Sequence, residues 1–245
     1  MIDIHTHILP GLDDGPKTME DSLALIKIAI KNDVDIIVAT PHCSDGVFNC
    51  KKPAILKACE DLSRMAREKN LPISILPGAE IRLTPDLIQD LDMGRILTLN
   101  QAGTFLLLEL PPVFIPETVI RVIRGLSNRR IVPLIAHGER NPMLAGRPEI
   151  TAGFAAAGAA IQITAGSLTG DFGPDIMKAA VSMVKMNQVF CVGSDIHPGR
   201  KYQMKNAWKK LVKITGSDQA HIIMKKNPER ILQGIVAESG NRKWI

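Results

Sequence analysis

The chain opens with the stretch MIDIHTHILPGLDDGP (residues 1–16), and the fold of the remainder can be worked out from it. The apolar, β-branched residues at its start predict a strand. Because side chains alternate across a strand, His5 and His7 are expected on the same side, about 7 Å apart along the backbone. The proline- and glycine-rich turn at residues 10–16 is then expected to bring a carboxylate back over the end of this strand. A His-x-His pattern alone is more typical of packed histidines than of metal ligands, so its meaning depends on the rest of the chain.

Short apolar runs alternate with amphipathic stretches along the chain. The apolar runs predict further strands at residues 34–40, 73–76, 105–108, 131–136, 160–164 and 189–192. Helices are expected between and after them, at residues 18–30, 54–69, 83–91, 116–123, 149–157, 175–185 and 203–236. Thr18 should cap the first helix, and residues 83–91 form either a helix or an excursion over the mouth of the fold. A polar loop containing Gly46 is expected before the second helix, and a loosely held tail at residues 239–243.

Strands that alternate with helices indicate a parallel sheet. Seven such repeats in roughly 200 residues are too regular for an open sheet with a second domain. We therefore expect an α/β fold, specifically a seven-stranded (β/α) barrel that varies the eight-stranded form, with a doubly wound open sheet as the alternative. No linker, internal repeat or low-complexity tract divides the sequence, which predicts a single domain over residues 1–245.

Composition argues against several classes of function. Hydrophobic residues make up 45% of the chain and aromatic residues 4%, which suits a globular protein with an aliphatic core. The net charge of +5 fits an anionic substrate, but the basic residues are scattered and form no groove signature for nucleic acid. No apolar run reaches the roughly 18 residues of a membrane span, and no secretory signal is visible, so a cytoplasmic protein is expected.

The four cysteines, Cys43, Cys50, Cys59 and Cys191, have no CxxC spacing and are expected to be reduced. Cys43 follows a histidine, as in the His-Cys-x5-Arg loop of cysteine-dependent tyrosine phosphatases, where the arginine binds phosphate beside a reactive thiolate. Asn49 stands at the position of that arginine. The loop therefore lacks its phosphate ligand, and we reject a cysteine nucleophile.

Side chains able to bind metals or move protons recur at one kind of position, the end of a predicted strand. Five of the six histidines lie there, and the sixth, His221, falls in the C-terminal helix, where a structural role is expected. Three carboxylates follow apolar runs in the same way. The full set is His5, His7, His42, Glu80, Glu109, His137, Asp195 and His197. Since the carboxyl ends of all strands in a parallel barrel meet on one face, these side chains are expected to meet there.

Crowded imidazoles and carboxylates predict divalent metals, because clustered carboxylates without a counter-charge repel one another and are costly to bury. Together with the turn carboxylate, the candidate ligands exceed what a single ion needs, so two or three metals are expected. A ligand set without thiolates suits manganese, iron or zinc and does not resemble a structural zinc site.

Five short motifs, in chain order, resemble those of the polymerase-and-histidinol-phosphatase (PHP) superfamily: HTH at residues 5–7, TPH at 40–42, GAE at 78–80, AHGER at 136–140 and SDIH at 194–197. The opening stretch also resembles the branch of manganese-dependent tyrosine phosphatases found in capsule and exopolysaccharide operons, the CpsB type. The resemblance covers nearly the whole chain. Cys43 stands where members often have a histidine or a basic residue, and Gly138 where a proline is frequent, but neither change removes a ligand.

This resemblance implies a distorted, TIM-like (β/α)7 barrel of the PHP type, with a trinuclear metal site at the C-terminal ends of the strands. It implies that His5, His7, Glu80 and Asp195 hold one metal, that Glu80 bridges to a second completed by Glu109 and His137, and that Asp14, His42 and His197 hold the third.

The same resemblance implies a phosphomonoesterase that hydrolyses phosphotyrosine on the tail of a bacterial tyrosine autokinase controlling capsule or exopolysaccharide synthesis. The expected nucleophile is a hydroxide that bridges two Mn²⁺ ions and attacks phosphorus in line with the leaving oxygen. Arg140 and Arg200 flank ligand positions and are expected to bind the phosphoryl group, with Gly166 and Ser167 as further lining of its pocket. Two alternatives stay open: a small-molecule phosphatase such as a histidinol phosphatase, and a module that binds phosphopeptides without cleaving them.

Overall fold

The computed structural model describes residues 1–43, 48 and 50–236, so Gly46, Asn49 and the tail at residues 239–243 lie outside the described part. Its strands are β1 (Ile2–Thr6), β2 (Ile36–Ala39), β3 (His42–Cys43), β4 (Ser74–Pro77), β5 (Glu80–Arg82), β6 (Phe105–Glu109), β7 (Val132–Ile135), β8 (Ala160–Thr164) and β9 (Cys191–Gly193). Its α-helices are α1 (Met19–Lys31), α2 (Lys52–Glu68), α3 (Leu87–Asp92), α4 (Val119–Asn128), α5 (Pro142–Ala145), α6 (Pro148–Ala157), α7 (Ala165–Thr169), α8 (Pro174–Lys185), α9 (Met204–Thr215), α10 (Ser217–His221) and α11 (Asn227–Gln233). Short 3-10 turns lie at Leu99–Gln101 and Gly138–Arg140, and a π-helical turn at Ile222–Lys226.

The strand pairings in the described residues are all parallel. β1 pairs with β2 and β2 with β4, while β3 pairs with β5, which is followed in chain order by β6, β7, β8 and β9. β2 and β3 are two parts of one extended run, interrupted at residues 40–41, and β4 and β5 are interrupted in the same way at residues 78–79. The pairing order therefore follows the chain from β1 to β9.

The first and last strands approach each other at their carboxyl ends. Thr6 and Ile196 form an isolated parallel bridge, and the backbone amide of Asp195 donates to the carbonyl oxygen of His5 at 2.8 Å. These contacts curl the parallel sheet and place the strand ends on the same side, which confirms the predicted α/β class. The exact (β/α)7 closure stays a prediction.

Both faces of the sheet are buried, as is usual for parallel strands covered by helices. In β6, Leu106 and Leu108 pack in the cluster that includes the apolar face of α4. Phe105 and Leu107 point the other way, into a second cluster with residues of β1, β2, β7 and β8. Strands that are far apart in the pairing order therefore share one apolar interior, and only a curled sheet can bring them together.

The first helix begins as predicted. The side chain of Thr18 accepts a hydrogen bond from the backbone amide of Asp21 at 3.2 Å, and Leu23 and Ile26 are buried on the inner face of α1. Within residues 1–43, 48 and 50–236, no helix is both long enough and apolar enough to cross a membrane.

Three local features differ from the sequence-based prediction. The strand predicted at residues 73–76 is observed as β4, and after a break at residues 78–79 the chain continues as β5. At the break, Gly78 passes close to β2, because an added Cβ there would lie 2.8 Å from Val38 Cγ1. Residues after β8, to which no element was assigned, begin with helix α7. The C-terminal stretch is helical as predicted, but it is divided into shorter helices, because Gly216 at φ +84° ends α9 and a new helix begins after it.

Candidate metal centre

The predicted ligands lie around one cavity at the carboxyl ends of the strands. His5 belongs to β1, Glu80 begins β5 and Glu109 ends β6, while others sit just beyond their strands. The cavity has a volume of about 240 Å³, and its lining includes Asp14, His42, Glu80, Glu109, His137, Asp195 and His197. His5 and His7 are fully buried against Glu80. The structure thus brings together the nine predicted positions.

The most deeply buried group consists of His5, His7, Glu80 and Asp195. The Nε2 atoms of the two histidines are 3.2 Å apart, and each lies 3.2 Å from Glu80 Oε2. Asp195 Oδ1 lies 3.5 Å from His5 Nε2 and 3.4 Å from His7 Nε2. His5 on β1 and His7 just after it place their imidazoles on one side, as the alternation of side chains predicts.

Glu80 also reaches a second group, with His137 and Glu109. Its Oε1 atom lies 2.9 Å from His137 Nε2, and the donor atoms of all three side chains lie within 4.8 Å of one another. Arg82 Nε donates to Glu109 Oε2 at 3.0 Å. His137 stands at the end of β7 with φ 35°, a left-handed conformation that is costly for a non-glycine residue and that clusters at functional sites.

A third group contains His7, Asp14, His42 and His197, whose donor atoms also lie within 4.8 Å of one another. His197 Nε2 is 3.1 Å from Asp14 Oδ1, and His42 Nε2 is 3.9 Å from the same atom. The ring of His7 stacks on that of His197 with centroids 4.0 Å apart. Asp14 is the turn carboxylate that the opening stretch was expected to return to the strand end.

A second layer of residues orients the imidazoles. His5 Nδ1 donates to Gln162 Oε1 at 3.0 Å, and His7 Nδ1 donates to Asp13 Oδ2 at 2.7 Å. His197 Nδ1 donates to the backbone carbonyl of Asp195 at 3.0 Å. In each ring Nδ1 is thus held by this second layer, and Nε2 faces the neighbouring ligand groups.

Gln162 and Asp13 were missed by the sequence analysis. Gln162 lies on β8 between apolar residues and is fully buried, and a lone polar residue inside such a run is the signal that identifies it. Its Oε1 atom also accepts the backbone amide of His137 at 3.0 Å. Asp13 belongs to the turn at residues 10–16, where the sequence indicates only its neighbour Asp14 as a ligand.

Two buried carboxylates of the centre are ionised at neutral pH. Burial disfavours the charged form of Glu80, but the positive charge of His5 and hydrogen bonds from the imidazoles outweigh it, so the pKa of Glu80 lies well below its usual range. The pKa of Asp195 is also lowered, because His5 and Arg140 together outweigh the effect of its burial. The floor of the cavity therefore holds ionised carboxylates in direct contact with imidazoles and guanidinium groups.

The imidazoles respond to this charge in opposite directions. Burial alone would lower the pKa of His7, but hydrogen bonds to Asp13 and Glu80 raise it to about 10. Burial and the positive charge of His7 lower the pKa of His197 to about 4. Protonation of one imidazole thus disfavours protonation of its neighbour. A divalent cation would instead supply positive charge that all of the ligand groups share.

This donor set fits divalent metal ions. Imidazoles that donate Nδ1–H to a second layer and turn Nε2 toward a shared centre are the usual arrangement of metal-binding histidines. His42 Nδ1 is buried, lies 3.4 Å from Glu80 Oε2 and has no hydrogen-bond partner among the residues that the structure describes. The mixture of imidazole and carboxylate suits manganese, iron or zinc, as expected from the sequence.

Two arginines stand at the rim of the cavity. Arg140 Nη1 forms an ion pair with Asp195 Oδ2 at 2.7 Å, and Arg200 Nη1 donates to the same oxygen at 2.8 Å. Arg140 Nη2 also donates to Thr164 Oγ1 at 3.0 Å. Asp195 therefore faces the imidazoles with one oxygen and the two guanidinium groups with the other.

Gly166 and Ser167 lie beside this rim. Gly166 lines a neighbouring cavity together with Phe172 and Arg200. Ser167 is fully buried on α7, and its Oγ has no partner in the described part of the chain. Contact of either residue with a phosphate stays a prediction.

The cysteines lie in apolar surroundings. Cys43 is buried and its thiol donates to the carbonyl oxygen of Cys50 at 2.6 Å. Burial raises the pKa of Cys50 to about 12 and that of Cys59 to about 11. Both of these thiols are therefore protonated at neutral pH, the opposite of a nucleophilic cysteine.

The sheet is parallel and curled, and histidines, carboxylates and arginines surround its carboxyl-terminal strand ends. The fold and the site therefore define an α/β protein with a candidate metal centre at that edge of the sheet. A sequence model of the family described as capsular polysaccharide synthesis, CpsB/CapC, matches residues 1–233. The chain belongs to this CpsB/CapC family.

Relatives and a solved structure agree with this assignment. The chain is 33% identical to the tyrosine-protein phosphatase YwqE of Bacillus subtilis, over 95% of this chain and 92% of that protein. It is 30% identical to the tyrosine-protein phosphatase CpsB of Streptococcus agalactiae, over 95% of this chain and 98% of that protein. A crystal structure from work on YwqE of Bacillus subtilis and CpsB of Streptococcus pneumoniae, described as metal-dependent tyrosine phosphatases, superimposes with a TM-score of 0.92 at 32% identity, covering 96% of each chain.

Proposed function

We propose that this protein is a metal-dependent protein-tyrosine phosphatase that acts in capsule or exopolysaccharide synthesis. Membership of the CpsB/CapC family supports this proposal, as do the names of its relatives. The observation that carries it is the position of Glu80, whose two oxygens face His137 on one side and His5 and His7 on the other. A carboxylate shared in this way is suited to joining adjacent metal ions.

The residues that would hold the metals are those of the three groups. His5, His7, Glu80 and Asp195 would hold the first, Glu80, Glu109 and His137 the second, and Asp14, His42 and His197 the third. The sequence-based expectation of two or three Mn²⁺ ions, with iron or zinc as alternatives, is carried forward here. When bound, such ions lower the pKa of water to near neutrality and neutralise charge on the phosphoryl oxygens.

The arginines would bind the phosphoryl group. Arg140 Nε is buried and has no hydrogen-bond partner among the described residues, although its Nη1 and Nη2 atoms are engaged by Asp195 and Thr164. A phosphate oxygen would satisfy this donor. Arg200, also held by Asp195 Oδ2, presents a second guanidinium group at the rim. Positive charge fixed beside the phosphate stabilises the charge that develops during transfer.

The cavity also has an apolar wall, which favours an aromatic phosphate ester. Leu110, Pro112 and Leu144 line the cavity together with the ligand residues. The phenyl ring of phosphotyrosine would pack on this wall while its phosphate reaches the arginines. The phenol that leaves has a pKa near 10, so its departure requires less protonation than that of an alkoxide.

Finer features of the proposal come from the sequence resemblance. We infer a distorted (β/α)7 barrel of the PHP type, a single domain over residues 1–245, and a cytoplasmic location. Apolar clusters that draw on both ends of the chain, from Ile2 to Ile231, support the single domain. The proposed partner is the phosphotyrosine tail of a tyrosine autokinase.

A comparison of two substrates tests the proposal. The manganese-loaded protein is expected to hydrolyse a phosphotyrosine peptide with a kcat/KM about 10- to 100-fold above that for histidinol phosphate, the factor gained when a phenyl ring is buried on an apolar wall. A preference for histidinol phosphate would identify a small-molecule phosphatase instead. A phosphopeptide that binds but survives long incubation would identify a binding module.

A further inference from the structure

The segment GSLTGDFGP (residues 166–174) runs from α7 to the start of α8 and places one aromatic ring, that of Phe172, against the rim arginines. The guanidinium carbon of Arg140 lies 4.1 Å from the centre of the ring, and that of Arg200 lies 5.8 Å from it. Both distances are within the roughly 6 Å over which a cation is attracted to a ring face. One ring therefore contacts both guanidinium groups that the proposed function assigns to phosphate.

The backbone on either side of Phe172 is held in place. Gly170 and Gly173 have φ of +96° and +94°, conformations that favour glycine, so the segment turns sharply before and after the ring. Between them, the backbone amide of Asp171 donates to the carbonyl oxygen of Gly166 at 2.9 Å. The Asp171 carboxylate accepts from Gln203 Nε2 at 2.9 and 3.0 Å, which ties the segment to the start of α9.

Gly166 provides the space that the ring occupies. A Cβ atom at this position would lie 2.9 Å from Phe172 Cε2, closer than real Cβ contacts allow. Its backbone is helical, so only the ring, and not the chain conformation, requires glycine here. The contact with Phe172 is a reason for glycine at position 166 that does not depend on the phosphate contact expected from the sequence.

We propose that Phe172 is a positioning residue whose ring face, seated over Gly166, holds Arg140 and Arg200 together at the rim of the cavity. Asp195 alone fixes only the ends of the two side chains, at their Nη1 atoms. Two like charges that share a single carboxylate oxygen repel each other, and the electron-rich ring face offsets part of that repulsion. That the arginines bind a phosphate rests on the proposed function, whereas the contacts of Phe172 with them are observed directly.

The test measures the binding of inorganic phosphate to the manganese-loaded protein by calorimetry, together with kcat and KM for a phosphotyrosine peptide. Phe172→Leu keeps an apolar side chain and removes the ring face. We expect it to weaken phosphate binding about tenfold and to raise KM by a similar factor, the loss expected for a partly desolvated cation–π contact. Gly166→Ala should weaken phosphate binding in the same direction by displacing the ring, and it tests the proposal even if Phe172→Leu does not fold.

Phe154→Leu is the matched control, because Phe154 is a buried ring on α6. It should lower the melting temperature without changing phosphate affinity. In an Arg140→Ala background, the effect of Phe172→Leu should shrink to about threefold or less, because residues that act as a unit are not additive.

Phosphate affinity within about twofold of wild type in both folded variants, Phe172→Leu and Gly166→Ala, would overturn the positioning role. The positioning role would also be overturned if the loss of phosphate affinity in the double variant equalled the product of the losses in Phe172→Leu and Arg140→Ala. A protein whose phosphate affinity falls on Phe172→Leu, but which does not hydrolyse phosphotyrosine, would refute the proposed function and leave the positioning role standing.

Discussion

Replacing Glu80 by glutamine is expected to reduce phosphotyrosine hydrolysis by at least about 100-fold, the upper range reached by changes to groups that merely support metal ligands. Glutamine keeps the size of the side chain but replaces one carboxylate oxygen by an NH₂ group and removes the negative charge. Both oxygens of Glu80 face imidazole nitrogens, at 2.9 Å on the His137 side and 3.2 Å on the His5 side. The substitution therefore removes a donor atom from one metal position and weakens the other.

The matched control for this variant is Glu149→Gln, which removes an exposed carboxylate from the first turn of α6. It should leave activity unchanged, and so should Cys43→Ser, because neither side chain faces the ligand groups. Melting temperatures measured in chelator will separate a folding defect from a loss of metal. If Glu80→Gln keeps more than half of the wild-type activity while folded, Glu80 does not join metal ions.

Removal of metals with a chelator is expected to abolish phosphotyrosine hydrolysis, and added Mn²⁺ should restore it. The floor of the cavity contains carboxylates with lowered pKa values facing imidazole nitrogens, so bound cations stabilise the folded protein. At a Mn²⁺ concentration of about 100 times Kd, the stabilisation is about 2.7 kcal/mol per site. For a chain of this size, that corresponds to a rise in melting temperature of about 5–10 °C.

Calcium is the informative control for metal removal, because it prefers oxygen ligands and avoids imidazole-rich sites. We expect Ca²⁺ to restore neither activity nor the melting temperature. Iron or zinc should restore part of both. Hydrolysis that persists after exhaustive chelation, or that is lost on alkylation of Cys43, would contradict a metal-dependent mechanism.

Much of this centre could be predicted from the sequence, because the ligand residues stand at the ends of predicted strands. His5 and His7 share one side of a strand, and Glu80, Glu109 and Asp195 each follow an apolar run. Parallel strands bring their carboxyl ends together whatever the details of the loops. The gathering of these side chains therefore follows from the alternation of strands and helices alone.

Other features could not be predicted, because they depend on packing between distant segments. Gln162 supports His5 from a neighbouring strand, and neither residue signals the other in the sequence. Phe172 lies in a glycine-rich connection, and nothing in the sequence signals its contacts with Arg140 and Gly166. The interruption of a strand before Glu80 likewise reflects the close approach of Gly78 to β2.

The most direct test of the account is a crystal structure of the protein grown with Mn²⁺, with diffraction data collected on both sides of the manganese absorption edge. The account predicts anomalous peaks among the ligand atoms of at least two of the three groups, with Glu80 in contact with two of them. Peaks only at the protein surface, or a metal held without Glu80, would contradict it.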